Sequence, residues 1–76
     1  MPRFYFDVRT GAEFLPDPDG FELDDLAAAE HEAAHTAVTL ARDWLPRTRE
    51  IGVEVRDEQR QVRLILTVAL TIDRLA

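Results

Sequence analysis

The sequence predicts an α+β fold, a two-layer sandwich with one long helix lying across a mostly antiparallel sheet of three or four strands, in the order strand, strand, helix, strand, strand. Three observations carry this expectation. Apolar residues alternate at period two through Phe4, Phe6 and Val8, and again through Val62, Leu64, Leu66 and Val68, which is the pattern of half-buried strands. Between these stretches Leu26, Ala29, Ala33, Ala37, Leu40 and Trp44 recur at the three- and four-residue spacing of a helix face. The chain has 76 residues, enough for one small domain over positions 1–76 and too few for a second.

Each element follows from local chemistry. Arg3 to Arg9 alternates, with Tyr5, Asp7 and Arg9 opposite the apolar set, and Thr10-Gly11 reads as a turn. Glu13, Phe14 and Leu15 make a short second strand that Pro16-Asp17-Pro18-Asp19-Gly20 interrupts and Phe21 to Leu23 briefly resumes. Asp24 and Asp25 are both competent to cap a helix beginning near Leu26, and their charge suits the positive end of its dipole. Strong helix formers continue to Leu45, where Pro46 stops the run. Its alanines bring the backbone close to the sheet, Ala34, Val38, Ala41 and Leu45 widen the apolar stripe on one flank, and Trp44 is expected as a core anchor. After the link Arg47 to Glu50, Ile51, Val53 and Val55 alternate with Gly52, Glu54 and Arg56 as a third strand. Asp57 to Gln61 turns the chain into a fourth, Val62 to Val68. Leu70 to Ala76 keeps apolar residues at Leu70, Ile72 and Leu75, so it either extends that strand or packs on a neighbouring molecule.

Composition narrows the function. The net charge of −6 repels a polyanion, and nine basic residues, all arginine, are scattered along the chain without a basic face, so no nucleic acid is expected as a partner. No cysteine is present, which suits a reducing cytoplasm. Met1 to Asp7 carries no apolar run of signal-peptide length, and nowhere do eighteen uncharged apolar residues stand together, so a soluble, cytoplasmic protein with no membrane contact is expected.

The strongest chemical motif is His31-Glu32-Ala33-Ala34-His35, which matches the H-E-x-x-H of zinc proteases, where two histidines hold Zn2+ and the glutamate is general base. At roughly 100° per residue, both histidines fall about 150° to 165° from the centre of the apolar stripe, on the solvent side and away from any cleft. A third ligand would have to be a carboxylate such as Glu50 or Glu54. A zinc-dependent hydrolase is therefore the competing expectation, and a weak surface metal site at His31 and His35 the milder one. Asp17-Pro18-Asp19-Gly20 does not make a calcium loop, because the EF-hand frame would place Leu15 first and Leu26 twelfth. There is no Gly-rich phosphate loop, and no serine or cysteine to serve as a nucleophile. No catalytic residue and no cofactor are expected.

The chain resembles a family of small bacterial proteins of unknown function. The resemblance rests on Met1 to Arg9 with its Met-Pro-Arg-aromatic-aromatic-Phe opening, on Gly11, on Leu15-Pro16-Asp17-Pro18-Asp19-Gly20, on Glu22-Leu23-Asp24-Asp25-Leu26, and on Val53-Glu54-Val55-Arg56-Asp57-Glu58. That family brings no activity or catalytic residues to transfer. The order of elements is also similar to HicB-like antitoxin domains, which with the acidic charge implies an antitoxin-like partner protein as another alternative. The residues themselves favour a non-enzymatic binding or regulatory module that acts through protein contacts. The outer face of the fourth strand is only half polar, and with Tyr5 it makes an apolar patch of Tyr5, Ile65 and Thr67 through which a homodimer is expected.

Overall fold

A computed structural model describes residues 1–76. The elements are β1 (Arg3–Thr10), β2 (Glu13–Leu15), β3 (Phe21–Glu22), α1 (Leu26–Trp44), β4 (Glu50–Arg56) and β5 (Val62–Ala69). All pairings are antiparallel, in the order β2-β1-β4-β5, with the two-residue β3 beside the start of β1 on the same side as β2. The sheet thus has five strands, the fifth being the brief resumption expected at Phe21.

Register decides which residues meet the helix. Phe6 lies opposite Val55 and Val8 opposite Val53, and these in turn face Leu64 and Leu66 on β5. Period-two alternation therefore brings Phe4, Phe6, Val53 and Val55 to one face, where they pack with Ala29, Ala33 and Ala37 as a single core. Those three alanines are no more than 1% exposed. Only a methyl fits between the two layers, which is the physical use of the alanine stripe. Ala33→Leu is accordingly expected to lower stability by about 2 kcal/mol through overpacking, whereas Ala34→Leu, on the exposed side, should change a urea midpoint little.

Of the two aspartates before the helix, Asp25 is the cap: its carboxylate accepts the Ala28 N–H at 2.8 Å. At the other end Leu45 leaves helical geometry and donates its N–H to Ala41, with Pro46 following and Arg42 in the last turn. Two expectations about this helix need correction. Ala34 and Val38 are exposed, Val38 at 57%, so the buried stripe is narrower than the composition suggested. Trp44 is half-buried under the guanidinium of Arg47, 5.7 Å from its ring centre, and lies outside the buried core. The buried helix position nearest it in sequence is another alanine, Ala41.

The domain is elongated, 53 × 22 × 18 Å. Leu70 donates its N–H to the Arg49 carbonyl, and from there to Ala76 the chain forms no helix or strand. No helix is long and apolar enough to cross a membrane.

Candidate functional site

The exposed side of α1 carries the histidine motif. The His31 and His35 rings stand 5.9 Å apart, centre to centre, in a shallow groove of about 400 Å3 shared with Ala34, Val38, Thr39 and Arg42. Two imidazoles bound through nitrogens to one ion at 2.0–2.1 Å would place ring centres about 5 Å apart, so a small rotamer change suffices for chelation. A third ligand does not join them: no cluster of three His, Cys, Asp or Glu side chains occurs anywhere in the fold. Glu54 is on the far face of the sheet, 3.1 Å from Arg9, and Glu50 is exposed at the start of β4. A catalytic zinc site takes three protein ligands, and the helix offers two. Titration with Ni2+ or Zn2+ is therefore expected to show weak binding, lost in His35→Ala and unaffected by Glu32→Gln.

The outer face of the sheet is organised by charge. Asp7 is only 2% exposed although it lies on the face away from the helix. Its carboxylate takes Arg56 through both Nε and Nη2 and also accepts the Asp17 N–H at 2.9 Å. Arg56 lies opposite Tyr5 in the ladder and 5.5 Å from its ring centre. Arg9 pairs with Glu54 and covers the Phe14 ring at 4.8 Å.

Asp17 performs a backbone's task. Between β2 and β3 the strand beside β1 is missing, and the Asp17 carboxylate accepts the Phe6 N–H at 3.1 Å in its place. Its other oxygen accepts the N–H groups of Asp19 and Gly20, closing the Pro-Asp-Pro-Asp-Gly loop over itself. Burial opposes the Asp17 charge, but the N–H groups of Gly20, Phe6 and Asp19, together with Arg56, outweigh it and hold the carboxyl below its ordinary value. In the β4–β5 turn the N–H of Gln61 leads in lowering the Asp57 carboxyl; desolvation opposes it, and Gln59 and Arg63 assist. Both depressed groups bind protons more readily in the unfolded chain than in the folded one. Their contribution to stability is thus complete well above the unfolded aspartate value of about 3.9 and is lost as pH falls through the lower folded values. Thermal melts are expected to show a plateau near neutrality and a decline below about pH 4, with Asp17→Asn flattening that decline.

These ion pairs bear on the expected patch. Tyr5 is half-buried on β1, and Arg56 and Glu54 on β4 stand between it and Ile65 on β5. Ile65 has other company. On β5, Val62 is 47% and Ile65 66% exposed, with Thr67 and Ala69 exposed beside them, while Leu64, Leu66 and Val68 on the helix side are only half-buried. Ile72 and Leu75 beyond the strand are exposed too. β5 has one neighbour, β4, and its other edge is open. The sequence carried a signal for this: from Leu64 to Ile72 there is no charged residue, whereas a protected edge strand ordinarily carries one.

The sequence profile of one protein family, described as a domain of unknown function (DUF6894), matches residues 3–71. No curated protein and no solved structure matches the chain.

Proposed function

The chain belongs to a family described as a domain of unknown function (DUF6894), and from its surface we propose that it is a small binding or regulatory module that acts through protein contacts without catalysing a reaction. The open β5 edge, apolar on both faces, carries this reading. Exposed apolar patches rimmed by charge mark contact surfaces in small soluble domains, and an unpaired strand offers a row of backbone donors and acceptors to another chain. The ion pairs Asp7–Arg56 and Arg9–Glu54 make the rest of the outer face polar, which leaves β5 as its apolar part. The remaining polar hollow, between Tyr5, Pro18, Arg56 and Arg60, contains the acids Asp17 and Glu58 and no serine, cysteine or histidine.

Ile65→Glu tests the reading, since the side chain is exposed and its exchange spares the core. Wild-type chain is expected to associate with itself or retain a stoichiometric protein from cells of its source, and Ile65→Glu to lose that association. Equal behaviour of the two chains, with neither associating, would overturn it.

A further inference from the structure

We infer that β5 pairs with β5 of a second copy, antiparallel about a two-fold axis at Leu66, joining two sheets into one of continuous hydrogen bonding. This rests on the reading of β5 as the contact surface and names its occupant.

Backbone direction comes first. Leu70 donates to Arg49 on the side of β4, and in an extended strand alternate residues present both backbone groups to the same side. Val68, Leu66 and Leu64 therefore face β4, opposite Ile51, Val53 and Val55. The N–H and C=O groups of Ile65, Thr67 and Ala69 are left to face the open edge, while Arg63 is the extra residue where the register against β4 shifts between Val55 and Arg56.

Inverted on itself about Leu66, this edge is complementary. Ile65 of one copy meets Thr67 of the other, and these two symmetry-related pairs exchange about four backbone hydrogen bonds, with Ala69 continuing the open edge beyond them. On the helix side Leu64 falls beside Val68 and Leu66 beside Leu66, each covering apolar surface that α1 leaves half-exposed. Charge agrees with this direction. The two Arg63 side chains, the only charges on the strand, end about 20 Å apart at opposite ends, whereas parallel pairing would set them side by side. The other edge of the sheet offers no such surface, because β2 and β3 have three and two residues with the Pro16–Gly20 loop between them.

Two variants read the register in the full chain. Thr67→Pro removes an N–H that faces the open edge, leaves the β4 ladder intact, and is a position where an edge strand accepts proline. Analytical ultracentrifugation is expected to show a wild-type dimer whose dissociation constant rises about tenfold or more in Thr67→Pro, with circular dichroism unchanged. Because the chain lacks cysteine, Leu66→Cys reports the axis. In a glutathione redox buffer it should form a disulfide dimer, since residues facing each other outside the hydrogen-bonded pairs have Cα atoms about 4.5 Å apart. Ile65→Cys, offset by two residues from its symmetry mate, should not. A dimer in which both cysteines or neither cross-link would overturn this pairing. A monomer that retains a different protein through Ile65 would overturn it and leave the proposed function standing, while a monomer retaining nothing would overturn both.

Discussion

Asp7→Ala is expected to lower the free energy of unfolding by about 3 to 5 kcal/mol, the range for breaking a buried ion pair from one side. Asp7 is 2% exposed, and its removal strands two donors at once: the Arg56 guanidinium, held through two nitrogens, and the Asp17 N–H. A domain of this size is stable by only about 4 to 11 kcal/mol, so the variant should be partly unfolded at ambient temperature. Urea denaturation against wild type measures the loss. Arg56→Ala should be nearly as damaging, because it leaves the Asp7 carboxylate buried with a single donor. The double variant Asp7→Ala/Arg56→Ala should lose much less than the sum, as expected for residues that act as a unit. Additive losses would mean that the two side chains contribute independently.

Gly20→Val is expected to lose about 3 kcal/mol. Gly20 has φ of +71°, a conformation that a side chain disfavours by about 1 to 2 kcal/mol and a β-branched one by more. A Cβ there would also stand 2.8 Å from the Phe4 carbonyl oxygen and 3.0 Å from the Tyr5 ring. The first obstacle is backbone inside β1 and cannot move cheaply. Pushing the loop away would draw the Asp17 carboxylate off the Phe6 N–H, so amide exchange at Phe6 should accelerate beyond the global loss of stability. Gly11→Ala is the contrast, since its Cβ would meet only the Thr48 hydroxyl at 3.3 Å. A variant at Gly20 as stable as wild type would show that this loop is not held by Asp17.

The layers were legible in the sequence because they depend on periodicity. Phe4 and Phe6, the Val53–Val55 pair and the alanines at 29, 33 and 37 all lie on the faces that spacing assigned them, and the helix starts at Leu26 and ends one residue before Leu45. What spacing does not encode is an encounter between distant residues. Asp7 and Arg56 both occupy strand positions that alternate with apolar ones, which reads as a solvated face, and only the register of β1 on β4 brings them within reach, 49 residues apart. Asp17 looked like a turn residue, and its bond to Phe6 is likewise set by the path of the loop over β1. The histidines lie on the solvent side of α1, as helical geometry indicated. Ile65 and Thr67 are exposed on β5 as the alternation implied, but the ion-paired residues of β4 that part them from Tyr5 follow from strand order, and strand order is a property of the whole chain.

The carboxylate of Asp17 also bears on how large an assembly can grow. Where it accepts the Phe6 N–H, it occupies a position that an incoming strand would need, and a molecule with one sealed side and one receptive side can only form closed pairs. Protonation weakens that seal. Only the Phe6 N–H is affected, because β2 and β3 pair the neighbouring residues of β1 and remain beside it. The limit on assembly size therefore rests on the short strands β2 and β3 together with the loop that joins them.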